Sequence, residues 1–480
     1  MSCTLLEISK ITVIKIFFIS MLCLQSGIIN CIAQRSKPFT DRELRVLIDG
    51  FKKAFDTNTD LDSASLVLLH EAIQSRNTYG KIILNTLLEY KLNYCSLLKN
   101  AVIDSNIALV EHLLQATAAR NSSDQNAEVI PMNAGLHLNY RDDYDMTLLT
   151  YAVSHNNFEI VRLLVTYGAS VDQSGRDDRT PLHFAVSGNF FDIAHFLIDH
   201  GANLTKKDYP EGDTVLHVAA EQGFFDIAFL LIDHGADVNR MNRYEKTPLH
   251  HAVYGGFDDI VDLFILHGAH ITMKDKQGET LLHIAAKRAF YTIASILIKN
   301  GLDVNVQDKN GLTPLHNAVY EDSYWSKKSS PEIVLLLIES GVDVNMQNKF
   351  GDTALHIAVC TKSCWDVKSC PENIVRLLID HGADVTIKNE HNATPLLIAA
   401  YNNHMEAVSL LIDSGAQVNL QNQYGWTALH SAVQNNNSDM ICLLIHHGAN
   451  PYIKNNQGST AFSLANLEMK KVIERALAQR

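Results

Sequence analysis

A chain of 480 residues is too long for one hydrophobic core of ordinary size, which leaves several domains or one elongated array. With 46% hydrophobic and 19% charged residues it has the balance of a folded protein, which argues against wholesale disorder. The 40 Lys and Arg stand against 53 Asp and Glu, a formal net charge of −13 that argues against nucleic-acid binding, although it leaves room for local basic patches.

The N-terminus is the first distinctive segment. Lys10 and Lys15 precede the apolar run Ile16 to Leu24, and the small-x-small triplet Cys31-Ile32-Ala33 follows before the chain turns polar at Gln34. Charged flank, short apolar core and cleavable site are the order of a secretory signal peptide over residues 1–33. The competing readings are a membrane anchor from Ile11 to Ile32 and an ordinary buried segment. Lys15 interrupts the anchor, and the uninterrupted run is shorter than the roughly 20 residues that a span requires. Secretion is therefore expected, with membrane-anchored or cytoplasmic placement as the alternative. Four glycosylation-type triplets, beginning at Asn121, Asn203, Asn392 and Asn436, fall where turns or loops are expected and are compatible with export.

Residues 34–141 show helical periodicity and read as a helical N-terminal cap. Ser96–Val102 followed by Ala108–Leu114 has the form of a degenerate repeat, Leu66–Ala72 is a second candidate, and residues near 119–138 read as a mobile loop.

From 142 to 480 the chain repeats itself. Thr-Pro-Leu-His or a close variant begins at Thr180, Thr214, Thr247, Thr280, Thr313, Thr353 and Thr427, and Thr147, Thr394 and Thr460 keep the same phase. The steps are 33, 34, 33, 33, 33, 40, 41, 33 and 33 residues, and Gly168, Gly201, Gly235, Gly268, Gly301, Gly341, Gly382, Gly415 and Gly448 keep the same beat. Each Thr is placed to cap a first helix, and the Pro after it sits where a missing N–H costs nothing. Leu182, Ala185 and Val186, then Ile193, Phe196 and Leu197, are spaced as apolar stripes on two successive helices. The periodic Gly ends the second helix in a left-handed cap. Repeat 10 lacks the His and closes with a polar-faced helix from Leu467, as a terminal cap should.

These residues resemble the ankyrin-repeat family. The resemblance implies an all-α solenoid of helix-turn-helix units with β-turn fingers, about nine or ten clear repeats with degenerate ones before them. It also implies that finger tips and the last turn of each first helix are the exposed, partner-facing positions.

The chemistry of a catalyst is not visible. His183, His217, His250, His283, His316, His356 and His430 share one motif position and suit hydrogen bonding between neighbouring fingers, while His200, His234, His267, His381 and His447 precede capping glycines. Both sets are spread by the period, whereas catalysis gathers unlike residues in one place. There is no HExxH, no phosphate-cradling Gly-rich loop and no nucleophile elbow. Cys360, Cys364 and Cys370 form one cluster, which reads as a local disulfide if exported and as free thiols otherwise, with no second pair to suggest zinc. The expectation is no enzyme, no cofactor and no metal.

What remains is a surface for a partner. Repeats 6 and 7 carry extra residues between their helices, each insertion holding a Trp among Ser and Lys before a Pro-Glu. The candidate binding residues are Tyr244, Tyr254, Tyr320, Trp325, Phe350, Trp365, Tyr401, Tyr424 and Trp426, because exposed aromatics serve as interface anchors. The reading is a monomeric, non-enzymatic scaffold that binds protein partners, not nucleic acid, and meets a membrane only if the N-terminal segment stays uncleaved. The alternatives are an intracellular adaptor presenting a client protein, or a latrotoxin-like or effector-type secreted toxin.

Overall fold

The structure, a computed structural model, describes residues 94–123, 138–320, 330–360 and 372–479. The apolar N-terminal run, Leu66–Ala72, Trp325, Trp365, Cys364 and Cys370 lie outside the described residues. Two compact units divide the chain, Met1–Asn203 and Leu204–Arg480. Among the described residues there is no strand, only helices and one isolated bridge between Lys454 and Thr460.

In the first unit, helix pairs run Tyr94–Ile103 with Ile107–Ser123, Leu148–Ser154 with Phe158–Thr166, and Pro181–Ser187 with Phe191–Asp199. Segment 96–114 thus folds as a helix pair, with Leu98, Val102, Val110 and Leu113 buried. Its second helix continues to Ser123, into the stretch expected to be a loop. The run Ala116-Thr117-Ala118-Ala119-Arg120, rich in good helix formers, accounts for the extension. Asn121 is therefore helical, not in a turn. Lys99 reaches forward to Asp142 at the base of the first finger, and Asp142 also accepts from the Tyr151 hydroxyl at 2.7 Å.

In the second unit, first helices begin one residue after each periodic Thr: Val215–Gln222, Pro248–Gly255, Leu281–Arg288, Pro314–Val319, Ala354–Cys360, Pro395–Tyr401 and Ala428–Gln434. Thr247 shows why. Its extended backbone makes it an N-cap, and its N–H and hydroxyl both bond to Nδ1 of His250, at 3.2 and 2.8 Å. Ala219, Ala252, Ala285 and Ala358 have no exposed surface, so neighbouring first helices approach closely. Second helices such as Asp258–Leu266 and Tyr291–Lys299 pack behind them and end at a glycine of positive φ. At Gly301, φ is +89° and an added Cβ would meet no atom within 4 Å, so only backbone conformation demands glycine there. The closing helix, Leu467–Ala478, buries Met469, Ile473 and Ala476 on one face and leaves Leu467 exposed.

A second asparagine code holds successive repeats together. Asn305 Oδ1 accepts from the Asp343 N–H at 2.8 Å while its Nδ2 donates to the Gly341 carbonyl at 3.3 Å. Asn345 clamps Asp384 and Gly382 in the same way, and Asn419 clamps Asn450 and Gly448.

Candidate interaction surface

Most fingers are tight turns closed by their own Asp or Asn. Asn242 Oδ1 accepts from the N–H groups of Tyr244 and Lys246 at 2.9 and 3.0 Å, and Asp275, Asp308, Asn348, Asn389 and Asn422 do the same one repeat later each time. Fingers are then tied tip to tip by backbone bonds. Lys276 N–H donates to Tyr244 at 3.1 Å, Lys309 to Gln277 at 3.0 Å, Lys349 to Asn310 at 3.0 Å, and Glu390 to Phe350 at 2.9 Å.

The motif histidines brace this row from behind. His283 Nδ1 accepts from Thr280, so the ring proton is on Nε2, which donates to the Leu312 carbonyl of the next finger at 2.9 Å. His217, His316, His356 and His430 reach Lys246, Asp352, Ala393 and Ser459 in the same manner. Burial pushes all of these rings below their ordinary pKa, His217 to about 4, so they stay neutral. The helix-end histidines also take up carbonyls: His200, His234, His267 and His381 bond four residues back at 2.8–2.9 Å. In repeat 9 that role falls to His446, which bonds to Cys442, and not to His447.

Fingers and first helices share one face, which in repeats 6–9 is hollowed into an open groove of about 1040 Å³. The exposed helix ends Tyr320, Cys360, Tyr401 and Gln434 stand along it, and His391, Gln423, Tyr424 and Trp426 come from the fingers. Ile357, which follows the motif His356, and Ile398, which follows Leu397 at the same repeat position, form part of its floor. Tyr320 and Tyr401 are each 56% exposed and Tyr424 63%, so these rings are presented rather than packed away. Trp426 is half-buried, its indole 5.7 Å from the His430 ring. Asn402 donates to the Val359 and Cys360 carbonyls, and Asn435 to Ala400 and Tyr401, which secures the helix ends at Cys360 and Tyr401. Asp352 is the groove's one carboxylate among the described residues, and it accepts from Asn389 Nδ2 at 2.8 Å.

The structure thus brings together Tyr320, Tyr401, Tyr424 and Trp426 and leaves the other described candidates, Phe350, Tyr244 and Tyr254, apart. Phe350 is an exposed tip outside the groove lining. Tyr244 and Tyr254 belong to a differently charged stretch: Lys276 Nζ lies 5.9 Å from the Tyr244 ring centre, and Tyr254 is held between Lys246 Nζ at 5.4 Å and the Arg288 guanidinium at 3.6 Å. The sequence reading missed Ile357 and Ile398. Their signal was the position one before each stacking Ala, which varies along the array while the Ala does not.

No helix of the described residues is long and apolar enough to cross a membrane. Among those residues no group of three or more His, Cys, Asp or Glu is placed to hold a metal.

Capped helix pairs, closed fingers and a hollowed finger-side face define a repeat protein built to present a surface. The family model described as ankyrin repeats (3 copies) matches residues 98–208, 206–275, 256–328 and 363–455, and that described as ankyrin repeats (many copies) matches 323–362. The chain belongs to the ankyrin-repeat family, whose members are typically non-enzymatic modules of protein–protein interaction. The first match begins at residue 98, inside the segment that the sequence assigned to a cap. No curated protein matches the chain.

Proposed function

We propose that this protein is a non-enzymatic scaffold that holds a partner protein along the finger-side face, with the groove of repeats 6–9 as its anchoring site. The groove carries this reading: exposed tyrosines and a half-buried tryptophan surround a floor with one satisfied carboxylate, the composition that favours a desolvated contact. The insertions that hold Trp325 and Trp365 leave the first helices directly after Tyr320 and Cys360, at the groove's own lining residues, and they are included in the proposed site. Export is a further part of the proposal, supported by the charged flank, apolar run and Cys31-Ile32-Ala33 triplet.

The test is a selection of random peptides on the full chain, followed by affinity measurements with groove variants. Tyr401→Ala with Trp426→Ala is expected to weaken selected binders about tenfold or more, and Trp325→Ala with Trp365→Ala to weaken them with the fold preserved. Binders that ignore both pairs at unchanged thermal midpoint would remove the groove from the proposal. Intact mass after expression in a secretory host addresses export: a medium form beginning near Gln34 supports it, and a cellular form retaining Met1 refutes it.

A further inference from the structure

The finger tips of repeats 4–7 carry a feature that the groove does not use. Arg243, Lys276, Lys309 and Lys349 occupy one register, each directly after the Asp or Asn that closes its finger. Three consecutive backbone bonds, from Lys276 to Tyr244, Lys309 to Gln277 and Lys349 to Asn310, hold these four positions in a row. All four residues are exposed, and none pairs with a carboxylate among the described residues. Arg243 and Lys309 instead donate to finger carbonyls, of Pro210 at 2.9 Å and Lys276 at 2.6 Å, which orients the charge without neutralising it. The Lys246–Tyr254–Arg288 stack adds two more cations beside the row.

This ladder runs against the charge of the whole chain, which is −13. Exposed acidic residues cluster on the second helices, as Asp258, Asp259 and Asp262 do in repeat 4, while the fingers also carry Glu245 and Glu279 and the register ends at Glu390. A row of like charges in register repels itself, and that cost is offset when an anionic partner lies along it.

We infer that the fingers of repeats 4–7 seat an extended acidic segment of the partner protein, whose carboxylates meet the four-cation ladder. The inference rests on the proposed scaffold function and names the chemistry of its partner. Packed helical layers are spaced about 8–10 Å apart and an extended chain advances about 3.3 Å per residue, so roughly one acidic residue in three meets a rung. The segment runs on into the aromatic groove, whose one carboxylate among the described residues, Asp352, already accepts from Asn389, so its acidic stretch adjoins apolar residues. A protein segment fits better than a nucleic acid because the acidic second helices and the net charge oppose a long polyanion.

The same peptide selection tests it. Selected peptides are expected to be enriched in Asp and Glu relative to the library, with an apolar neighbour. Their affinity should fall about tenfold or more in the variant Arg243→Glu, Lys276→Glu, Lys309→Glu, and by less in the Gln version of the same triple, which guards against a folding defect. Binding should also weaken as salt rises. Binders without acidic enrichment that still respond to Tyr401→Ala with Trp426→Ala would overturn this inference and leave the scaffold proposal standing. Binders insensitive to both sets would remove both. A twenty-nucleotide oligothymidine bound as tightly as the peptides, and weakened equally by the charge reversal, would replace the acidic protein with a nucleic acid.

Discussion

Burial of the motif histidines couples their protonation to the stability of the fold. His250, its ring at 1% exposure, has its pKa lowered from 6.5 to about 4, chiefly by desolvation. The unfolded chain takes up a proton below about pH 6.5, while the folded ring does not until about pH 4. The stabilising contribution is therefore complete above 6.5 and is lost as pH falls toward 4, on the order of 2 kcal/mol for such a ring at pH 5. His217, His283, His316, His356 and His430 shift in the same direction, so their losses act together. Urea midpoints are expected to fall steadily from pH 7 to pH 4.5, and a flat profile would contradict this. Asp142, held down to about 2 by Lys99 and Tyr151 despite its burial, contributes in full above pH 3.8 and loses that contribution as pH falls toward 2. At Gly301 the issue is backbone alone. Gly301→Val is expected to cost about 1–2 kcal/mol, read as a lowered thermal midpoint, because valine resists the left-handed region.

Between repeats, asparagine is the connector. Asn305→Ala removes both bonds of one clamp, and loss of two hydrogen bonds is expected to cost about 1–3 kcal/mol. Amide exchange at Asp343 should accelerate ahead of global unfolding, which is the measurement that isolates the clamp. This element was legible in part. Period, capping Thr, stacking Ala and terminal Gly follow from residue types whose local physics is strong, so helix positions could be read directly. The asparagine clamps could not, because an Asn in a polar turn carries no sign of what lies one repeat away. The Asp or Asn five residues before most of the Thr was visible as a recurrence, yet its turn-closing role emerges only with the backbone N–H groups around it. The groove was read at its rim, through Tyr320 and Tyr401, and missed at its floor. Ile357 and Ile398 resemble ordinary core positions until the neighbouring fingers leave them half-open.

At the scale of the second unit, helices pack on their own pair, on the adjacent repeat or on both, so stability is a sum over neighbours. Ends matter most in such a sum. Truncation after Asn466 removes Met469, Ile473 and Ala476 from the face of Ser438–His446. Faster exchange is expected in repeat 9 while the amides of repeats 4 and 5 keep their protection. Uniform loss of protection would mean that the unit melts as one block.

The couplings also have a uniform gender. His and clamp Asn of one repeat reach forward, to the next finger and the next glycine carbonyl, while the finger Asn242 and Asn389 reach back to Asp213 and Asp352. Plug and socket recur on most repeats, although Thr272 and Thr386 replace the clamp Asn and Leu397 the motif His, so most copied repeats carry fitting connectors. An in-frame duplication of residues 247–279 would lengthen the cation row by one rung and displace it from the aromatic groove by none. Duplicating 313–352 would add a rung through Lys349 and a second Tyr320 together. Unequal recombination within such a gene therefore retunes the length of acidic segment accommodated without redesigning a single contact.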